Sequence, residues 1–191
     1  MIETAKIFIT IYCLKDGHHR GHAQQVQAIA LEIAKMIGLN GKDGELIKYA
    51  SLLHDIGKAL IPDEILKKKD PLDKSEWELV RKHTLFGYEL LKFFLPEIAE
   101  AIRAHHENWD GTGYPDQKKE DNIPLPSRII RIADSISAGI SKRAYKRPKP
   151  LERIVIELEK GAGKEYDPGI VNALLSERDR ISPHREIALS F

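Results

Sequence analysis

The sequence predicts an all-α fold, a bundle of helices interrupted by one long irregular loop. Apolar residues recur at intervals of three and four along most of the chain, which is the spacing of one buried helix face. Glycines and prolines divide these segments, and alternation typical of a strand is confined to residues 7–11. Residues 1–15 are therefore treated as an N-terminal extension of uncertain structure, a candidate helix that joins a partner or once joined a sensor domain. Residues 16–191 are treated as one domain.

The first half of this domain contains the clearest helical patterns. Residues 24–37 carry apolar side chains at helical spacing, and Gly38 begins the glycine-containing segment that ends this helix. Asp43 is the predicted N-cap of a second helix that runs to residues 54–55. Further helices are expected from Asp73 or Ser75 through Val80, over residues 84–94, and from Pro96 to His105 and His106.

A long loop follows the last of these helices. Residues 110–126 include three prolines and two glycines, which interrupt regular structure. Long loops inside compact domains usually serve function. Helical spacing resumes over residues 129–140 and returns over residues 151–160 and 168–177, the last with Asp167 as N-cap.

Composition excludes several classes of protein. The chain of 191 residues has 42% hydrophobic and 31% charged residues and a net charge of +1. These values fit a globular protein with a real core and argue against general adhesion to DNA, RNA or membranes. Cys13 is the only cysteine, so neither an internal disulfide nor a cysteine metal site can form. Because no apolar stretch is long enough to span a membrane and no signal-peptide pattern is present, we expect a cytoplasmic protein.

Histidines and aspartates recur near the ends or middles of successive predicted helices. These residues are His18, His19, His22, His54, Asp55, His83, His105, His106 and Asp134. A helical bundle can direct such residues into one interior site. Imidazole and carboxylate ligands without thiolate suit iron, manganese, zinc or similar ions, and the Asp55 carboxylate could bridge two ions. Neighbouring helical residues diverge by about 100°, so His105 and His106 can share a cleft only if its wall is broad or the helix end distorts.

Each of these residues taken alone has an ordinary structural explanation. His54 with Asp55 would more often be a hydrogen-bonded pair, and His83 would be a satisfied core histidine. Asp134 would be a cap or a polar-face residue. These explanations lose force because the residues occur together, beside an unusual loop.

Two motifs in this set resemble a known family. Residues 53–58, LHDIGK, resemble the signature of the HD phosphohydrolase superfamily. Residues 105–115, HHENWDGTGYP, resemble the second signature of its HD-GYP subfamily, and this match is highly specific. The order and spacing of further similar segments hold from about residue 16 to residue 175, nearly the whole chain.

The resemblance implies an HD-type helical bundle with an irregular GYP loop. It also implies a phosphodiesterase that hydrolyses cyclic di-GMP to linear pGpG, and in some members to GMP. The reaction would use a hydroxide activated by two divalent ions, with iron or manganese as the expected metals. Some members of the family act on cyclic GMP-AMP instead.

The resemblance further implies roles for individual residues. Asp55, bridging the two ions, and Lys58, close to the substrate phosphate, take the catalytic positions. One ion would bind His22, His54, Asp55 and Asp134, and the other would bind His83, His105 and His106. Arg143 and Lys146 match positions that contact substrate phosphate, and their spacing of three places them on one helical face. They also lie in a basic stretch that could simply be solvated, and Tyr114 would contact a guanine or only pack.

Several positions depart from the family pattern. His18 stands where members with a third metal have glutamate, so His18 is a further candidate ligand. Ser137 stands where the family usually has a second aspartate, and Ala144 replaces the usual proline. Two alternatives stay open: an HD phosphohydrolase for another nucleotide, and a non-catalytic signalling module that binds a partner protein through the GYP loop. A homodimer is also compatible with the sequence.

Overall fold

The computed structural model describes residues 2–15, 17–141 and 148–180, and over these ranges the chain is all-α, as predicted. The α-helices described are α1 (Ile2–Lys15), α2 (Gly17–Met36), α3 (Gly41–Leu53), α4 (Asp63–Leu66), α5 (Lys74–Arg81), α6 (His83–Leu91), α7 (Pro96–Arg103), α8 (Leu125–Ile140), α9 (Leu151–Gly161) and α10 (Pro168–Arg180). Two 3₁₀ turns cover Ile56–Leu60 and Glu120–Asn122. Within these ranges the β-type pairing is limited to one isolated bridge, between Ala162 and Tyr166.

The core lies where α2, α3, α7 and α8 meet. α2 packs along both α3 and α8, and α3 also contacts α7. The buried side chains come from one apolar face of each helix and include Val26, Ile29, Ile33, Ile47, Leu53, Ile98, Ile102, Ile129 and Ile130. Fully burying one such side chain contributes roughly 1.5–3 kcal/mol. This packing sets the relative positions of the helices that carry the candidate histidines and aspartates.

The N-terminal residues form a helix rather than a strand. α1 buries Tyr12 in the core, and Phe8 contacts Phe94 with ring centroids 6.0 Å apart. Ile7 and Ile11 are exposed, so the apolar run belongs to a helix whose apolar residues extend beyond its buried face. The division of the chain into an N-terminal extension and a domain stays a prediction. None of the helices in the described ranges is long and apolar enough to cross a membrane.

Two of the three predicted helix caps are confirmed. The Asp73 side chain accepts a hydrogen bond from the backbone N–H of Glu76 at 2.9 Å, and the Glu76 carboxylate accepts one from Asp73 in return. Asp167 caps α10 by accepting from the N–H two residues further on at 2.8 Å. The prediction for Asp43 is wrong, because Asn40 occupies the N-cap position and Asp43 lies in the first turn of α3. There its charge still interacts favourably with the helix dipole.

Several helix boundaries differ from the predicted ones. α2 begins at Gly17, ahead of the predicted start. α3 ends at Leu53 and α7 ends at Arg103, so the histidine motifs that follow lie beyond the regular helices. α8 begins at Leu125 and includes Pro126 in its first turn. Proline is tolerated there because N–H groups of the first turn make no hydrogen bond within the helix.

The turn after α3 packs directly on α6 through a glycine. A Cβ atom at Gly57 would lie 1.9 Å from the backbone oxygen of His83 and 2.5 Å from the backbone nitrogen of Gly87. Only a residue without a side chain allows two backbones to approach so closely. The contact holds the segment that contains Asp55 against the start of α6, which carries His83.

We expect Gly57→Ala to destabilise the protein by about 1–3 kcal/mol or more, because backbone rather than a flexible side chain has to move. Gly44→Ala is the matched control, since a Cβ there would meet nothing within 4 Å and the residue lies inside α3. Alanine at position 44 should stabilise the helix by roughly 0.5–1 kcal/mol. Denaturant unfolding of the two variants measures both effects, and equal stabilities would contradict the described contact.

Candidate metal centre

Seven of the residues predicted to bind metal converge on one interior region. Their potential ligand atoms form two groups, and within each group the atoms lie within 4.8 Å of one another. The first group is His22, His54 and Asp55, and the second group is His83, His105 and His106. Asp134 on α8 extends the first group, since its Oδ1 lies 3.1 Å from Nε2 of His22. This division matches the two ligand sets expected from the sequence.

Three of these histidines are oriented by the carboxyl ends of helices. In each case ring nitrogen Nδ1 lies close to the backbone oxygen three residues earlier: His54 with Ser51 at 2.7 Å, His83 with Val80 at 2.7 Å, and His105 with Ile102 at 2.6 Å. These oxygens lie in the last turns of α3, α5 and α7, where carbonyls run out of helical donors. Because a carbonyl only accepts, each Nδ1 carries the hydrogen and each Nε2 presents its lone pair to the interior.

Asp55 lies between the two groups. Its Oδ2 is 3.3 Å from Nε2 of His54, and its Oδ1 is 3.5 Å from Nε2 of His83. Lys58 donates a hydrogen bond to Oδ2 at 2.7 Å from the following 3₁₀ turn. One carboxylate therefore approaches a histidine of each group and a cation at the same time.

The end of α7 explains how two consecutive histidines share one cleft. The helix stops at Arg103, and His105 and His106 occupy the irregular turn that follows. Their ring centroids lie 4.1 Å apart with an interplanar angle of 42°. The helix end is thus irregular at His105 and His106, which is one of the two conditions under which both rings can share a cleft.

Burial and neighbouring charges determine which forms these groups adopt. Burial acts to raise the pKa of Asp55, but the Lys58 ammonium and His54 overcome it and hold that pKa well below its usual range. Burial also acts to raise the pKa of Asp134, yet contact with His22 lowers that pKa to about 2. Burial lowers the pKa of His105 to about 3, with neighbouring histidines adding to the effect. Burial acts to lower the pKa of His54, but the Asp55 carboxylate outweighs it and raises that pKa. Because ionised aspartates and neutral histidines are the forms that bind metal, an ion at the first group would displace any proton from His54.

The donor atoms fit divalent metal ions. Atoms bonded to one ion at about 2.0–2.2 Å lie roughly 3.0–3.6 Å from one another. The observed separations fall in this range: 3.1 Å for His22 with Asp134, 3.3 Å for His54 with Asp55, and 3.4 Å for the Nε2 atoms of His83 and His105. Nε2 of His54 is buried without a hydrogen-bond partner, which is costly unless a cation interacts with its lone pair.

His22 is held by side chains from two helices. Its Nδ1 lies 3.0 Å from Oγ of Ser137, a buried residue of α8. Ser137 in turn donates to Oε1 of Gln25 at 2.7 Å, and Ser141 donates to the same oxygen at 2.8 Å. Ser137, a departure from the family pattern, is thus in direct contact with a candidate ligand.

The loop after His106 is closed on itself. Oε1 of Glu107 accepts a hydrogen bond from the backbone N–H of Asp116 at 2.7 Å and so joins the two ends of the loop. A Cβ atom at Gly113 would lie 2.3 Å from the backbone nitrogen of Asn108, which leaves no room for a side chain. These motif residues therefore shape the loop beside the second group.

Tyr114 packs against the second group. Its ring stacks on His106 with centroids 4.8 Å apart and an interplanar angle of 22°. The Arg81 guanidinium lies 4.2 Å from the centre of the same ring. Tyr114 also lines a cavity of about 320 Å³ with Glu78, Arg81 and Lys82. The ring contacts favour the packing alternative, and contact with a guanine stays a prediction.

Three predicted site residues cannot be placed. Arg143 and Lys146 lie outside the described residues, as does Ala144. The side chain of His18 also lies outside the described part of the structure. Their assigned roles stay predictions.

Some site-building residues were not found from the sequence. Gln25 lies within the span that resembles the family, yet its link to Ser137 depends on how α2 packs against α8. The helix-end carbonyls that orient His54, His83 and His105 carry no sequence signal of their own. The sequence did give one related signal, the recurrence of histidines near the ends of predicted helices.

Comparison with known proteins finds a matching family and several relatives. A family model described as HD domain matches residues 6–170. A 3'3'-cGAMP-specific phosphodiesterase of Vibrio cholerae is 42% identical over 162 residues, which cover 83% of this chain and 31% of that protein. A cyclic di-GMP phosphodiesterase of Thermotoga maritima is 37% identical over 186 residues, which cover 95% of this chain and 50% of that protein. The chain thus spans about a third to a half of the length of these relatives.

A solved structure shows the same fold. An HDG"Y"P protein from Bdellovibrio bacteriovorus superposes with a TM-score of 0.66 at 21% sequence identity. The match covers 84% of this chain and 52% of that one. At this level of identity the likeness concerns the fold.

Replacing Asp55 with alanine should strip metal from both groups, because its two oxygens approach a histidine of each. We expect total bound metal, measured by elemental analysis after anaerobic purification, to fall well below that of the unmodified protein. Asp63→Ala is the control, since Asp63 is exposed and its ion pair with Lys67 is a surface contact worth about 1 kcal/mol or less. Full metal content in Asp55→Ala would refute the bridging position.

Proposed function

The chain belongs to the HD domain family, and on that premise we propose that it is a metal-dependent phosphodiesterase with cyclic di-GMP as its substrate. The observation that supports this most directly is the pair of histidine groups that share Asp55. The proposed products are linear pGpG and, by a second hydrolysis, GMP. Cyclic dinucleotides are the substrates named for both similar relatives.

Two divalent ions, iron or manganese, are the proposed cofactors. The nitrogen and carboxylate donors of the site suit such ions, and the described site residues include no cysteine ligand. When bound, the ions would supply an activated water and stabilise negative charge on a phosphoryl oxygen. His22, His54 and Asp134 would hold one ion, His83, His105 and His106 the other, and Asp55 would contact both.

Other residues of the chain would bind the substrate and stabilise its charge. Lys58 is only partly buried, with 24% of its side chain exposed, so its ammonium can face both Asp55 and a bound phosphate. A fixed positive charge at this point would stabilise charge that develops on the substrate during hydrolysis. The closed loop from Glu107 to Asp116 would form one wall of the substrate site.

Cyclic GMP-AMP is the second candidate substrate. The Vibrio cholerae relative specific for this nucleotide is 42% identical, against 37% for the cyclic di-GMP phosphodiesterase of Thermotoga maritima. Turnover of both nucleotides by the same metal-loaded preparation distinguishes the candidates. A metal-loaded protein that hydrolyses neither would refute the proposed activity and favour a module that binds a signalling partner through the GYP loop. A homodimer remains a further proposal.

Lys58→Ala should lower turnover of cyclic di-GMP by about 10–1,000-fold, the scale of losing one group that stabilises charge in a transition state. Metal content should stay near that of the unmodified protein, because Lys58 contacts the carboxylate as a donor and is not itself a ligand. Lys67→Ala on the exposed surface serves as the control. Equal loss of metal and turnover would instead make Lys58 a structural support of Asp55.

Arg143→Ala and Lys146→Ala should each weaken binding of cyclic di-GMP, because only one of its two phosphates can occupy the metals at a time. Both variants should hydrolyse a small phosphodiester with a single phosphate at nearly the unmodified rate. Lys149→Ala should affect neither substrate, because the Lys149 ammonium is paired with Glu157. Similar, small effects for all three variants on both substrates would indicate a solvated basic segment.

A further inference from the structure

His22 is held differently from the other histidines whose Nδ1 contacts are described. His54, His83 and His105 each use a backbone carbonyl at a helix end. His22 lies in the second turn of α2, where backbone carbonyls are engaged in regular helical hydrogen bonds. Its ring therefore needs an acceptor from elsewhere, and Oγ of Ser137 lies 3.0 Å away.

The direction of each hydrogen bond in this chain of contacts is determined by Gln25. Its Oε1 is a carbonyl-type oxygen, so it accepts from both Ser137 at 2.7 Å and Ser141 at 2.8 Å. A serine hydroxyl has one hydrogen, and Ser137 gives it to Gln25. Oγ of Ser137 can then only accept from His22, which places the hydrogen of the neutral ring on Nδ1.

With the hydrogen on Nδ1, the other ring nitrogen of His22 is left with a free lone pair. Nε2 of His22 presents its lone pair beside Oδ1 of Asp134, 3.1 Å away. In the neutral ring both of these atoms are electron-rich, so either a proton or a metal ion has to lie between them. The side chains of Ser137 and Gln25 thus prepare His22 to act as a ligand together with Asp134.

We propose that Ser137 and Gln25, supported by Ser141, are positioning residues that set the metal affinity of the first group. This inference rests on the proposed role of His22 as a metal ligand. Outer partners of this kind typically change metal affinity by 10–100-fold when removed. The second group should be unaffected, because His83 and His105 are oriented by backbone.

The experiment is a titration of the full chain with Mn²⁺ alone, followed by electron paramagnetic resonance. Ser137→Ala should weaken one of the two binding steps by about 10–100-fold and leave the other unchanged. Ser137→Thr, which keeps the hydroxyl, should restore the affinity. Ser127→Ala is the matched control, because Ser127 is equally buried on α8 but donates to the backbone oxygen of Ala101.

A second variant, in α2 rather than α8, tests the same contact if Ser137→Ala does not fold. Gln25→Leu should weaken the same binding step, and the double variant should be little worse than either single one, because both changes break one chain of hydrogen bonds. Ser137→Ala binding Mn²⁺ as tightly as Ser127→Ala, or fully additive effects in the double variant, would overturn the proposal. Loss of Mn²⁺ affinity in a chain that hydrolyses no cyclic dinucleotide would remove the proposed function and leave this inference standing.

Discussion

The site depends on helices that end just before a histidine. A helix end leaves carbonyl oxygens without partners, and an imidazole needs one nitrogen engaged before the other can act reliably as a ligand. At α3, α5 and α7 one hydrogen bond meets both needs. Because α6 packs against α7 and against the turn after α3, these ends lie close together and three Nε2 atoms point at one small volume. The arrangement uses backbone atoms, so it persists through most side-chain changes around it.

A buried carboxylate is the second requirement of this arrangement. An unpaired charge in the interior would be strongly destabilising. The Asp55 charge is compensated by the Lys58 ammonium, and cations between Asp55 and the histidines on both sides would compensate it further. The close backbone contact at Gly57 brings these groups into range, because it brings α6 against the turn that holds Asp55. Packing and electrostatics thus depend on the same few residues.

The helices and the ligand positions were predictable to different degrees. Periodic apolar residues predicted the helices well, since burial of one face leaves a regular pattern. The motifs predicted which histidines and aspartates converge. Helix ends were less predictable: Asp43 was expected to cap α3, but the loop geometry places Asn40 there. The strand-like alternation near the N-terminus was misleading because α1 keeps apolar residues on an exposed face as well. The role of Ser137 required the packed structure, because its partners come from another helix.

The contact between His22 and Ser137 joins residues 115 positions apart in the chain. The first group therefore exists only when α2 and α8 are packed together, as they are in the folded chain. An ion held there would bind the native chain and not the unfolded one. At a free concentration one hundred times its dissociation constant, it would add about 2.7 kcal/mol to the free energy of unfolding. A chain without metal would be less stable by the same amount, so its abundance in a cell would depend on metal supply as well as on synthesis.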